Sequence, residues 1–196
     1  MKLFKFIKKI DPECEDFQQI SKRACKIDGD SGIKKYLGLD LSSCDYFYMK
    51  KQDQLNIIKI IEFTDLKRQK EDLEKSKKLN ILDIGKILET VDELKIENCK
   101  DEIKGLLKPL RDSEIKRMIL DELRKKAVES IIIFYKLEDK FNIKECNLKN
   151  LKFHFNVVIC KPVDARFIDK LKLDLKNIIK NVVEEIKIIP VKEFNL

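Results

Sequence analysis

Two strand-like runs separated by three polar residues constrain this chain most. Cys44-Asp45-Tyr46-Phe47-Tyr48-Met49-Lys50-Lys51 is rich in aromatics, and Leu55-Asn56-Ile57-Ile58-Lys59-Ile60-Ile61-Glu62-Phe63-Thr64 is an isoleucine-rich run of strand length. Gln52-Asp53-Gln54 joins them. Two such runs with a short polar link predict a β-hairpin over about residues 44–64. A turn centred near Asp53-Gln54 places Asp45 opposite Glu62. Opposed residues of an antiparallel pair point to one face, with Cβ atoms roughly 4.5–5.5 Å apart. Thr64 follows Glu62 on that face. An acid inside so apolar a run is costly to bury without a partner.

The elements around the hairpin are predicted from periodicity and punctuation. Asp11 and Pro12 open a helix over 11–26, with Cys14, Phe17, Ile20 and Ala24 as its buried stripe. Asp28-Gly29-Asp30-Ser31-Gly32 is a turn cluster with only a faint likeness to a calcium loop. Residues 33–41 fit either a short helix or a first strand. A mostly helical segment covers 65–140, with Gly105 and Pro109 ending one helix and Asp112 or Ser113 capping the next. The second half of that last helix is apolar nearly all round, the mark of a central, buried helix. Phe153–Cys160 reads as a strand buried on both faces, 164–181 as an amphipathic helix, and 185–194 as an edge strand because it contains Pro190. The strand–helix–strand ending predicts parallel pairing with a right-handed crossover. The expected fold is a single α/β domain over 1–196, a mixed sheet flanked by helices with a helical insertion.

Composition narrows the function classes. Of 196 residues, 39% are charged, with the signs interspersed, so most of this charge belongs to solvated helix surfaces. The net charge of +7 favours polyanions such as nucleic acid, although no dense Lys/Arg block occurs. His154 is the one histidine, and the six cysteines form no CxxC pair, which argues against structural zinc. The opening Met1–Lys9 is too short and broken for a secretory signal, so a disulfide framework is not expected and the cytoplasm is the expected compartment. No run approaches the roughly 18–20 apolar residues of a membrane span. No phosphate-cradling GxxxxGK[ST] or GxGxxG motif occurs.

Two carboxylates on one face repel unless something positive lies between them. A hard cation, Mg²⁺ or Mn²⁺, would resolve the conflict and activate water at a phosphodiester. The pattern resembles the PD-(D/E)xK nuclease superfamily, also called restriction-endonuclease-like. That family shares a core of helix, antiparallel strands, helix and strand, often followed by a further helix and strand. The resemblance implies that Asp45 and Glu62 hold the metal. Thr64 stands where the family has lysine. In some branches that lysine migrates to the following helix, and Lys67, Arg68 and Lys70 are candidates, Lys67 foremost. Glu13 or Asp16 would complete such a site. The expected activity is then hydrolysis of DNA or RNA by an active or degenerate nuclease. The competing expectation is a non-catalytic subunit that binds a protein partner, nucleic acid or its own copy through the helical segment.

Overall fold

The computed structural model describes residues 3–12, 14, 20–52, 55–75, 90, 93, 97–141 and 150–195, the side chains of 97–104 and 106 excepted. The fold is α/β. Six strands run in chain order across one mixed sheet: β1 (Ile7–Ile10), β2 (Ile20–Lys26), β3 (Tyr46–Gln52), β4 (Leu55–Thr64), β5 (Leu151–Ile159) and β6 (Glu185–Pro190). The first four pair antiparallel, and β4, β5 and β6 pair parallel. The helices are α1 (Ile33–Leu37), α2 (Leu66–Lys75), α3 (Glu97–Phe141) and α4 (Ala165–Ile179).

The hairpin forms as expected, with Tyr46 opposite Ile61 and Gln52 opposite Leu55. β5 is buried along most of its length, because the parallel crossovers leave it between β4 and β6. β6 is an edge strand and ends at Pro190, which needs no ladder partner for a missing N–H. The β4–α3–β5 and β5–α4–β6 connections advance across the sheet in the same direction. Right-handed crossovers therefore put α3 and α4 on the same face. The Phe134 ring of α3 meets Phe47 and Phe153 edge-on there, at 5.6 and 5.5 Å between centroids. Asp164 caps α4 by accepting from the Phe167 N–H at 3.1 Å.

Four expectations are corrected. Residues 20–26 are strand, not the end of a helix: Ile20, Lys22, Ala24 and Lys26 also alternate with period two, and pairing to β1 and β3 selects that pattern. Asp11, Pro12 and Cys14 are not helical, while most of the stretch between Pro12 and Ile20 lies outside the described residues. Helix α3 runs straight past Gly105 and Pro109 rather than ending there. Strong helix formers on both sides offset the hydrogen bond that one proline removes. The second half of α3 is not buried all round, since Ile132 and Tyr135 are exposed while Leu123, Ala127, Ile131, Phe134 and Leu137 make a buried stripe. Finally, Cys14 and Cys160 form a disulfide, with Cα atoms 5.5 Å apart across a separation of 146 residues. Cys25 and Cys44 are free.

The turn at 28–32 precedes α1, and its acids pair with lysines: Asp28 with Lys34 at 2.5 Å and Asp30 with Lys35 at 2.6 Å. Gly32 is required there, because a Cβ would stand 2.3 Å from the Ile27 carbonyl oxygen.

The chain divides into two compact units, Met1–Leu66 with Glu122–Leu196, and Lys67–Asp121. The first contains the whole sheet. The described residues of the second are helical, with Ile115, Ile119 and Leu120 buried and Arg111 paired to Glu74 at 3.5 Å. No helix among the described residues is long and apolar enough to cross a membrane.

Candidate functional site

The sheet ladder between β3 and β4 stops at Tyr46–Ile61, and Asp45 occupies the next position of that register, beside Glu62. The Asp45 N–H donates to the Ile61 carbonyl at 3.0 Å, and its Oδ2 accepts from the Phe63 N–H at 2.7 Å. Glu62 shares the face of Ile58 and Ile60, which α3 covers. It is only 2% exposed. A carboxylate there must find a cation or give up its charge.

Lys126 of α3 supplies the cation. Its Nζ lies 2.5 Å from Glu62 Oε1 and 3.3 Å from Glu122 Oε1. Burial, and then the charge of Asp45, push the Glu62 carboxyl up to about 8 even with Lys126 in contact. Lys126 loses solvation through burial, yet Glu62 and Glu122 hold its pKa above the ordinary lysine value. Glu62 Oε2 is buried without a hydrogen-bond partner, and so is Thr64 Oγ1. Thr64, two residues along β4, is buried on the same face, and its carbonyl accepts from the Cys160 N–H at 2.9 Å.

One stripe of α3 organises this cluster. Lys126, Glu129 and Ser130 fall at helical spacing and reach the same stretch of chain. Glu129 accepts from the Ser42 N–H. Ser130 Oγ accepts from the buried Cys44 N–H at 2.9 Å. The helix thereby fixes the entry into β3 at Asp45 while Lys126 reaches Glu62. The Cys44 thiol is buried between them, and its pKa is raised by burial and by the charge of Glu62.

Of the residues singled out from sequence, Asp45, Glu62 and Thr64 come together. Lys67 is exposed in the first turn of α2 and belongs to the helical unit. Asp65 pairs with Lys161 at 3.1 Å. Glu13 and Asp16 lie outside the described residues. Sequence reasoning misses Lys126. Its i,i+4 pairing with Glu122 is legible, but nothing local reveals that this helix face meets β4.

The cluster has part of what a cation site needs. Mg²⁺ is commonly held by one or two carboxylates and keeps several waters. Asp45 and Glu62 meet that requirement, and the unpartnered Oε2 of Glu62 is a ligand atom with nothing else to bind. The described residues contain no group of three or more His, Cys, Asp or Glu side chains arranged for a metal, so further ligands would be solvent or phosphate. Comparison with family models, with curated proteins and with solved structures finds no match.

Proposed function

We propose that Asp45, Glu62 and Lys126 form the centre of a metal-dependent, nuclease-like protein of PD-(D/E)xK type, acting on phosphodiester bonds in DNA or RNA. The observation that carries this reading is the buried Glu62 carboxylate. One of its oxygens is on Lys126, the other has no partner, and Asp45 stands beside it. The order from β2 to β6 supports it: antiparallel strands with α1 between the first two, then helices α2 and α3, a strand, a helix and a strand, close to the order of the family core. The leading helix of that core has no counterpart before β2 among the described residues.

Asp45 and Glu62 would hold Mg²⁺ or Mn²⁺. The bound cation supplies an activated water and offsets charge on the phosphate. Lys126 would take the place of the motif lysine from α3, a later helix than the α2 that directly follows β4, in preference to the exposed Lys67. It orients Glu62 through Oε1 and leaves Oε2 available. Thr64 Oγ1 sits on the same face as a neutral hydrogen-bonding group. Asp45 is oriented by the Phe63 N–H.

The test is cleavage of single- and double-stranded DNA and RNA with Mg²⁺ or Mn²⁺, alongside Mn²⁺ binding. The expected result is metal-dependent hydrolysis, abolished by Asp45→Ala and Glu62→Gln and slowed on the order of 10²–10³-fold by Lys126→Met. Wild-type protein that neither cuts nucleic acid nor binds Mn²⁺ would overturn the reading.

A second reading has its own support. Ile132 and Tyr135 are large, exposed and three residues apart on α3. They suit a subunit that docks a partner, with Glu62–Lys126 as a structural ion pair. A tight oligomer indifferent to metal and nucleic acid in size-exclusion chromatography would favour it.

A further inference from the structure

The face of the sheet turned away from α3 carries a different chemistry. Register fixes its membership. Lys59 of β4 pairs with Tyr48 of β3 on one side and His154 of β5 on the other. Lys50 pairs with Ile57, and Lys187 pairs with Asn156, both on this same face by the two-residue alternation. Lys8 pairs with Ala24, which packs against Tyr46 and Tyr48. Lys22, two residues before Ala24, reaches Asn195 Oδ1 at 2.8 Å.

Five lysines thus share one strand-bound surface. Acids offset only part of this charge. Glu185 engages His154 at 3.0 Å and Lys187 at 3.2 Å, and Glu184 engages Lys152. Lys59 makes no ion pair among the described residues, although it is half-buried in the middle of an isoleucine run. Burial, and then the charges of Lys50 and Lys187, hold its ammonium below the ordinary lysine value, with Glu185 opposing. Like charges held together on a sheet face repel. A polyanion laid across them relieves that repulsion and releases its own counterions. Tyr48, half-exposed and paired with Lys59, offers a ring beside the cations, a combination that suits a base and its phosphate.

Part of this face is covered, since Val191 and Phe194 pack with Tyr46, Ile61 and Val158. We infer that the part left exposed beside that cover, built on Lys8, Lys22, Lys50, Lys59 and Lys187 around Tyr48, is a binding surface for single-stranded nucleic acid. It is separate from the Asp45–Glu62–Lys126 cluster and needs no metal.

The experiment measures fluorescence anisotropy of labelled single-stranded RNA and DNA of about 16 nucleotides, with the full chain in EDTA, over a salt series. Working in EDTA keeps the result independent of any cleavage. The triple substitution Lys50→Gln, Lys59→Gln, Lys187→Gln is expected to weaken binding at least tenfold. It should also flatten the salt dependence, by about 0.7 in log–log slope for each phosphate that the variant no longer neutralises. Tyr48→Ala should weaken binding about tenfold without changing that slope. Circular dichroism and thermal melting confirm that each variant keeps its fold. Unchanged affinity in the folded triple variant would overturn the proposal. So would inorganic polyphosphate competing as well, charge for charge, as the oligonucleotide, together with an unaltered Tyr48→Ala variant, which would mark a general polyanion surface.

Discussion

Strand β4 carries two charges three residues apart, on opposite faces, and the fold treats them in opposite ways. Glu62 lies under α3, almost fully buried, and is met by Lys126. Lys59 lies on the opposite face, half-buried at a part the C-terminal segment leaves exposed, with other lysines around it. A charge sealed beneath a helix needs a counter-charge, because water cannot reach it. A charge at a solvated face tolerates like neighbours, because water screens them. The face under α3 is therefore where removing a partner is dangerous, and the exposed part of the other face is where charge is held ready for something outside the chain.

The sharpest way to break this comparison is Lys126→Met in metal-free protein. It removes the group that lowers the Glu62 carboxyl, which then rises above its parent value of about 8, and in alkaline solution we expect a loss of about 3–5 kcal/mol in denaturant unfolding. The sign of the pH dependence follows from the raised carboxyl. Its folded pKa of about 8 lies above the unfolded value near 4.5, so between these the native state binds more protons. The stability that Glu62 contributes is full below about 4.5 and is lost as pH rises through about 8. Glu62→Gln should flatten that slope in the wild-type background. In Lys126→Met the loss should be far smaller at about pH 5, where Glu62 keeps its proton. An equal loss at both pH values would mean that packing, not charge, holds this helix face.

The Cys14–Cys160 disulfide tests what a covalent link adds at the same end of the sheet. Cys160 follows β5 beside Thr64, so the crosslink closes most of the chain into one loop at the Glu62 end of the sheet. Cys14→Ala should cost about 2–4 kcal/mol under non-reducing conditions. The parent protein in reductant should lose the same amount, and the variant nothing further. Next in size is Asp164→Ala. It removes the N-cap of α4, the second helix on the α3 side of the sheet, and should cost about 1 kcal/mol in the same unfolding assay.

What can be read ahead of the structure divides along the same line. The hairpin is legible because its signals are local: aromatic and β-branched runs, a polar link, and a register that sets Asp45 beside Glu62. β5, α4 and the Pro190 edge are legible for similar reasons. The strand at 20–26 is not, since Ile20 and Ala24 satisfy a helical and an alternating pattern equally, and only neighbouring strands decide. β1 is four residues long, too short for any period to show. Lys126 and the disulfide depend on pairings across 64 and 146 residues, which no local pattern encodes. The acid of the candidate site is therefore visible in the sequence, while the base that answers it is hidden in a helix.

The smallest expected effect is the most telling for the lysine-bearing face. Lys59→Met exchanges a cation for an apolar side chain of similar length, in a strand flanked by isoleucines. If Lys59 served the fold as Lys126 does, its loss would cost several kcal/mol. But no carboxylate depends on it among the described residues, and burial and its lysine neighbours already disfavour its charge. The substitution should therefore change unfolding free energy by no more than about 0.5 kcal/mol in either direction. A large destabilisation would show that Lys59 holds the sheet together, and the contrast between the two faces of β4 would collapse. A neutral or slightly favourable change would leave a lysine that the fold does not need, at a place where a solvated anion can reach it.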